Sequence, residues 1–193
     1  HAITSLTLEN FRNYRALSLD FPPAPVGLLG ANGAGKTNIL EAISLLSPGR
    51  GLRGAKLREM DCLAASLQLT ALSKNETIAG APSITPPWVV AAKIATGDET
   101  THIGTGRDGE STAEKRIIKI NDEKVRSHAA LASHVCVQWL TPSMDQVFIE
   151  GGTARRKLLD RIVYGFVPEH AARVLAYESA MRERNKLLAD RVL

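Results

Sequence analysis

Three features of the 193-residue sequence predict an α/β fold: a glycine-rich loop between a strand and a helix, alternating strands around it, and a helical C-terminal segment. The alternation predicts a mixed or antiparallel β-sheet, because every second side chain of a half-buried strand faces the core. Near the C-terminus the apolar residues instead recur at helical spacing. We therefore expect a sheet-containing lobe at 1–145, followed at 146–193 by the beginning of an α-helical second lobe.

The glycine-rich loop reads GANGAGKT and fits the phosphate-loop pattern G-x-x-x-x-G-K-[ST] at every fixed position. The apolar run Val26–Leu29 before it predicts a short buried strand. Residues 38–46 after it predict a helix, with Ile39, Ile43 and Leu46 on one face. Glycine-rich loops are common, but a strand on one side and a helix on the other is the context that supports this motif.

The loop has the chemistry of a nucleotide site. Its glycines allow the backbone to turn N–H groups toward an anion, and the helix that follows adds its positive pole. The Lys36 ammonium is suited to the β- and γ-phosphates, and the Thr37 hydroxyl is suited to ligating Mg²⁺. The candidate nucleotide-binding residues are Gly30, Ala31, Asn32, Gly33, Ala34, Gly35, Lys36, Thr37 and Asn38.

A β-hairpin is predicted before the loop. Residues 3–9 and 16–21 alternate apolar and polar side chains, and a turn at 11–14 interrupts the pattern. The proline-rich residues 22–25 end the second strand, since proline cannot donate to a sheet ladder. Many phosphate-loop kinases and small GTPases begin almost directly with the strand of the loop. A hairpin before the loop is therefore a feature that distinguishes this chain from them.

The middle of the chain predicts an antiparallel meander rather than a series of βαβ units. A polar, glycine-containing connection is expected at 96–109, a turn at 121–123 and a returning strand from 124 to 126. Ser127 is expected to cap a short helix that continues through Ser133. The remaining predicted strands lie at 66–72, 88–95, 116–120 and 135–140.

Two helices are predicted at the C-terminal end of the chain, separated by Pro168, which suits the first turn of a helix. Their apolar side chains form stripes that we expect to pack against another helix. The chain is expected to end within the second helix. The stripes comprise Leu158, Leu159, Ile162, Val163 and Phe166 in the first helix, and Val174, Tyr177, Met181 and Leu188 in the second.

Composition and charge narrow the function classes. Hydrophobic residues make up 44% of the chain, and no run of ~18 apolar residues predicts a membrane span. Cys62 and Cys136 lie far apart, which indicates reduced thiols in a cytoplasmic protein. Residues 151–193 contain nine Lys or Arg against five Asp or Glu, whereas 1–150 are balanced. The excess indicates either a polyanion partner or a solvated helix surface, and the same alternatives hold for Arg50, Arg53, Lys56 and Arg58.

A hydrolase of this class also needs a Walker B strand, an apolar run that ends in Asp and is usually followed by a catalytic Glu. Residues 117–122, 135–140 and 158–160 do not fit that pattern. We therefore expect no catalytic residue in this segment, which we interpret as the N-terminal part of a longer protein. Weak ATPase activity is expected of the full-length protein and negligible turnover of this segment alone.

Residues 6–14 (LTLENFRNY) and 30–43 (GANGAGKTNILEAI) resemble the RecF family of recombination mediators and, more distantly, the SMC and Rad50 group of ABC-type ATPases. Three further stretches favour the RecF family: 47–53, then 140–142 closely followed by 150–160, and 182–188. The resemblance implies an ABC-type P-loop NTPase lobe with a helical lobe inserted, in which the signature motif, Walker B acids and D-loop lie beyond Leu193.

The resemblance also implies a mechanism. ATP and Mg²⁺ bind the loop of one subunit, a second subunit closes over them, and the homodimer clasps double-stranded DNA, including single-strand/duplex junctions. RecO and RecR are the implied partners in loading RecA at single-strand gaps, away from any membrane. By motif match Arg12 and Asn13 are expected near the nucleotide, and Gln138 is expected to act with Thr37 at the metal as the Q-loop glutamine.

Two other readings stay open. The chain could belong to another ABC-type machine, SMC/Rad50-like or a transporter, since a phosphate loop after a hairpin suits a transporter ATPase as well as a RecF-type protein. It could also be a phosphate-loop kinase, which needs arginines in a lid that closes on the nucleotide. The candidates for that lid are Arg155, Arg156 and Arg161, which share a helix with an apolar face.

Overall fold

A six-stranded antiparallel sheet with the order β2-β1-β3-β4-β5-β6 forms the scaffold. The structure, a computed structural model, describes residues 2–62, 86–109, 115–142, 144, 147, 149 and 151–190, so the strand predicted at 66–72 lies outside the described residues. The strands are β1 (Ala2–Phe11), β2 (Tyr14–Asp20), β3 (Val89–Thr96), β4 (Glu99–Arg107), β5 (Arg116–Ile120) and β6 (Glu123–Val125).

The predicted N-terminal hairpin is confirmed. β1 and β2 pair from Ser5↔Asp20 to Phe11↔Tyr14, so two residues, Arg12 and Asn13, form the loop between them. Arg12 adopts a positive φ of 57°, as tight hairpin turns require. On the other edge of β1, β3 pairs antiparallel over seven residue pairs, which makes β1 a central strand of the sheet.

The polar connection predicted at 96–109 is wrong, because β4 occupies most of it. β4 pairs with β3 from Val89↔Gly106 to Thr96↔Glu99, and with β5 on its other edge. The glycines that indicated a loop have another cause at Gly106, where an added Cβ would lie 2.7 Å from the Trp88 carbonyl oxygen. The position is glycine because another backbone approaches closely, not because the chain turns.

Two predicted strands are also wrong. The run Val26–Leu29 lies outside the sheet, and the Leu29 side chain is 96% exposed. Residues 135–140 are likewise unpaired, with Leu140 88% exposed. Continuous apolar runs are typical of parallel strands that are buried on both faces of a sheet. Within the described part of the chain every strand pairs antiparallel with another of the six, and none pairs with these runs.

The predicted helices are present as α1 (Lys36–Ser44), α2 (Gly152–Tyr164) and α3 (His170–Asp190), with 3₁₀ helices at Leu57–Met60 and His128–Ser133. Ser127 accepts a hydrogen bond from the Ala129 N–H at 3.2 Å, which confirms the predicted cap. α2 and α3 contact each other, yet several residues of the predicted stripes remain exposed. None of the helices in the described ranges is long and apolar enough to span a membrane.

The core lies between one face of the sheet and α1. Leu6 and Leu8 of β1 are fully buried in the same hydrophobic cluster as Ile39 and Leu46, and Ile43 packs against that cluster, as the predicted stripe requires. At the far end of the helix, the Arg116 guanidinium donates to the Leu45 and Gly49 carbonyls and to the Thr105 hydroxyl. A cation there complements the negative pole of α1. Burial lowers the pKa of Arg116 to about 10, so it remains charged at neutral pH.

Candidate functional site

The glycine loop leads directly into α1. Gly33 and Gly35 adopt left-handed φ values of 82° and 100°, which glycine accepts without steric cost. The Asn38 and Ile39 N–H groups both donate to the Gly35 carbonyl, at 2.7 and 3.2 Å, so the first turn of the helix grows out of the loop. In the part of the chain that the structure describes, no side chain caps this end of α1, which leaves its positive pole to the loop.

Lys36 spans the loop. Its Nζ donates to the carbonyl oxygens of Gly30 at 2.6 Å and Ala31 at 2.7 Å, so the ammonium is held across the loop rather than in solvent. Thr37, the next residue of α1, is exposed. The loop therefore combines a fixed cation, a free hydroxyl and a helix N-terminus, which together suit a phosphate group with a divalent cation.

The hairpin turn lies directly against the loop. Tyr14 Oη donates to the Ala34 carbonyl at 3.4 Å, and the Asn38 amide donates to Asn13 Oδ1 at 2.7 Å. A Cβ at Gly35 would lie 2.4 Å from Tyr14 Oη. The structure thus brings Asn13 to the start of α1, next to the loop, and its place beside a nucleotide stays a prediction.

Arg12 is held at the same place by a buried carboxylate. Its Nε and Nη2 donate to the two oxygens of Glu41 at 2.9 and 2.6 Å, and its Nη1 donates to the Glu59 carbonyl at 2.6 Å. Arg53 donates through Nη1 to Glu41 at 2.7 Å and to Asn38 Oδ1 at 2.9 Å. Neither Glu41 nor Arg53 was among the predicted site residues. The apolar stripe of α1 gave no signal for Glu41, which lies on the opposite side of the helix from Ile39 and Ile43.

Gln138 is not brought to the loop. Its amide donates to the carbonyl of Arg161 in α2 at 2.6 Å and to Cys136 Sγ at 3.3 Å. No hydrogen bond joins it to Thr37 among the described residues. Its proposed role at the metal is therefore without geometric support here, while Thr37 and the loop remain the candidates for holding Mg²⁺ and phosphate.

The arginines of α2 have structural partners. Arg161 lies over the Trp139 ring, 4.0 Å from its centroid, and donates to the Trp139 carbonyl at 3.1 Å. Desolvation lowers its pKa. Arg156 donates to the Tyr177 hydroxyl at 3.1 Å and lies over the same ring. Two of the three candidate lid arginines are therefore engaged in packing, which disfavours a kinase lid.

A cleft of about 560 Å³ separates residues 48–54, which follow α1, from α2 and α3. Its cationic side chains outnumber its two carboxylates, Asp160 and Glu178. Asp160 already accepts from His170 at 2.8 Å, and Glu178 lies 3.9 Å from Arg182. The cleft is therefore electropositive. Its cationic residues are Arg50, Arg53, Lys157, Arg161 and Arg182.

Comparison with known proteins shows what this chain is similar to. The AAA domain family matches residues 5–77. The chain is 41% identical over 190 residues to the DNA replication and repair protein RecF of Caulobacter vibrioides, and 41% identical over 186 residues to that of Rickettsia akari. These matches cover 98% and 96% of the chain but 45% of each relative. The chain thus spans about half the length of the curated relatives it matches.

Solved structures agree. One described as the recombination mediator protein RecF–ATP in the RecFOR pathway matches with a TM-score of 0.74 and 26% identity, over 97% of this chain and 46% of that one. A second, with RecF–ATPrS, matches with a TM-score of 0.74 and 25% identity, over 98% of this chain and 45% of that one. These matches confirm the resemblance inferred from the sequence, and with it the ABC-type ATPase fold class.

Proposed function

Because this chain belongs to the RecF family, we propose that it binds ATP on Gly30–Thr37, with Mg²⁺ ligated by Thr37, as part of a DNA replication and repair protein. The observation that carries the proposal is the position of the Lys36 ammonium. It is held across the loop that leads into α1, a helix whose N-terminus no described side chain caps. Such a cation can exchange its two carbonyl partners for phosphate oxygens, which are stronger acceptors because they are charged.

We further propose that ATP acts as a dimerising ligand and that the homodimer clasps duplex DNA in the cytoplasm. RecO and RecR are the proposed partners, and loading of RecA at single-strand gaps is the proposed outcome. Two observations support this proposal. Positive charge is concentrated in 151–193 and in the cleft beside α1. The RecF structures that match the chain are described within the RecFOR pathway.

The division of labour between the lobes is part of the proposal. Residues 1–145 would form the nucleotide-binding lobe and 146–193 the beginning of a helical lobe. In support, the sheet and α1 share one hydrophobic core, whereas α2 contains no buried residue. Arg161 and Gln138 join the two parts through the Trp139 carbonyl and the Arg161 carbonyl.

Nucleotide binding is tested with Lys36→Ala in the full-length protein, using the fluorescent analogue mant-ATP with Mg²⁺. Removing a charged donor to phosphate is expected to weaken binding by about 10- to 100-fold, from the ~1.5–3 kcal/mol of such hydrogen bonds. Lys119→Ala removes an exposed lysine of β5 and is the matched control. Unchanged affinity in Lys36→Ala, with the circular dichroism spectrum of the wild type, would contradict the loop assignment.

DNA binding is tested by titrating full-length protein with duplex DNA across a salt series, with and without ATP. Reversing charge at Arg155 and Arg156 is expected to weaken binding and to reduce the log–log salt slope by about 0.9 for each lost phosphate contact. Arg15→Glu, an exposed arginine of β2, is the control for charge reversal alone. A slope equal to that of the wild type would remove the α2 arginines from the interface.

A further inference from the structure

Glu41 is the buried carboxylate at the centre of the candidate site. Its side chain is 1% exposed, although it lies on α1 only five residues after Lys36. Its two oxygens accept three hydrogen bonds from guanidinium groups, two from Arg12 and one from Arg53. A buried carboxylate without such partners is strongly unfavourable, so these contacts explain how the charge is tolerated.

The contacts of Glu41 join three segments that are separate in sequence. Arg12 belongs to the hairpin turn, Glu41 to α1, and Arg53 to the basic segment after α1. Arg12 Nε and Arg53 Nη1 share the same Glu41 oxygen, Oε2. Without the negative charge between them, two guanidinium groups would face each other across one acceptor, and like charges at that distance repel.

The two arginines differ in how many of their guanidinium nitrogens are engaged in hydrogen bonds to described residues. Arg12 uses Nε, Nη1 and Nη2 for Glu41 and for the Glu59 carbonyl, so its role is to fix the hairpin turn. That turn holds Asn13 and Tyr14 against the glycine loop. Arg53 makes its two hydrogen bonds to described residues through Nη1, and its side chain is 41% exposed. Glu41 thus determines where both groups lie relative to the loop.

We propose that Glu41 is a positioning residue for nucleotide binding, which holds the Arg12 turn and Arg53 against the start of α1. The proposal rests on the proposed nucleotide function and assigns Glu41 no contact with the ligand. The predicted consequence is specific. Removing the charge of Glu41 releases the turn from the loop, so nucleotide affinity falls by more than the loss of overall stability explains.

The test is Glu41→Gln in the full-length protein, which keeps the shape of the side chain and removes its charge. The affinity for mant-ATP with Mg²⁺ and the melting temperature Tm are both measured. We expect affinity to fall at least tenfold at a temperature where the variant is fully folded. Wild-type protein is measured first: if it does not bind mant-ATP, the proposed function itself fails, whereas binding by wild type and variant alike overturns only this inference.

Asp61→Asn is the matched control. Asp61 accepts from Arg107 at 2.9 Å and both side chains are 10% exposed, so this variant also removes the charge of a nearly buried carboxylate paired with arginine. A lower Tm is expected in both variants, and a lower mant-ATP affinity only in Glu41→Gln. Equal losses of affinity in the two variants would reduce Glu41 to an ordinary structural residue and overturn the proposal.

Two further variants complete the test. In a background carrying both Arg12→Ala and Arg53→Ala, measured where both proteins are fully folded, Glu41→Gln should change affinity less than twofold, because the groups it positions are gone. A full tenfold loss in that background would contradict positioning through the arginines. If Glu41→Gln does not fold, Glu41→Asp replaces it, since it keeps the charge but shortens the reach. Its affinity should fall severalfold, and wild-type affinity in a folded Glu41→Asp protein would overturn the proposal.

Discussion

Gly35→Ala tests the contact between the hairpin turn and the glycine loop. An added Cβ would lie 2.4 Å from Tyr14 Oη, 2.6 Å from Asn13 Nδ2 and 2.8 Å from Tyr14 Cζ. All three distances are far below van der Waals contact, so the Tyr14 and Asn13 side chains, and with them the contact between turn and loop, must shift. The backbone at Gly35 also has φ = 100°, a conformation that residues with a Cβ adopt at a cost.

Gly35→Ala carries two costs, the left-handed backbone and the steric clash, and Gly33→Ala carries only the first. Gly33 has φ = 82° and nothing within 4 Å of an added Cβ, so Gly33→Ala should cost about 1–2 kcal/mol for the left-handed backbone alone. Gly35→Ala adds a steric clash worth about 1–3 kcal/mol. We therefore expect about 2–5 kcal/mol for Gly35→Ala and a smaller loss for Gly33→Ala.

Equilibrium unfolding in urea measures both losses, provided that the slope of the transition is unchanged. Adding Tyr14→Phe to Gly35→Ala removes the hydroxyl and should recover part of the loss, because the contacts with Asn13 and the ring carbon remain. Equal losses for Gly33→Ala and Gly35→Ala would refute the reasoning, since the contact with the turn would then contribute nothing. So would a Gly35→Ala protein as stable as the wild type.

Two other predictions concern the scaffold. Trp88→Phe should destabilise the fold by about 2–4 kcal/mol. The fully buried indole donates to the Leu57 carbonyl at 2.8 Å, so its loss leaves an unpaired acceptor and a void. A thermal shift equivalent to less than ~1 kcal/mol would contradict this prediction. Burial and the neighbouring Arg116 lower the pKa of His128, so the unfolded chain takes up its proton first and the free energy of unfolding should fall as the pH drops below about 6.5. His128→Gln should flatten that pH dependence, and a His128→Gln protein with the wild-type pH slope would count against the assignment.

The parts of the fold that follow from local pattern were predictable. The glycine loop and α1 have fixed spacing and a helical stripe, and the hairpin has alternating strands around a two-residue turn. β4 was not predictable from its own residues, because its glycines resemble those of a loop. Gly106 is needed for the approach of the Trp88 carbonyl, which only the paired strands reveal.

Val26–Leu29 and 135–140 mark a different limit. Their composition indicates interior strands, but a strand exists only where a neighbouring backbone completes its hydrogen bonds. The six described strands form one open sheet, and neither run pairs with its edge strands β2 and β6. An apolar run therefore predicts that a segment can be buried in a sheet, and says nothing about which backbone will cover it.

The candidate site divides in the same way. Lys36 and Thr37 were predictable because their chemistry is tied to the spacing of one loop. Glu41 was not, because Arg12 lies 29 residues before it and Arg53 lies 12 after it. Pairing across such distances depends on the hairpin folding over α1, and formal charge in the sequence does not encode which cation will meet which carboxylate.

The geometry of α1 explains why an antiparallel sheet matters to a phosphate loop. The helix is tied at its centre by Glu41 to the Arg12 turn of β1–β2, and at its C-terminal end by the Arg116 guanidinium of β5. The β1–β2 hairpin and β5 lie on opposite sides of β3 and β4 in the sheet. The direction in which the N-terminus of α1 points is therefore set by strands far apart in the sheet. Any change in sheet twist that moves one anchor relative to the other must turn the helix, and with it the loop that Lys36 spans.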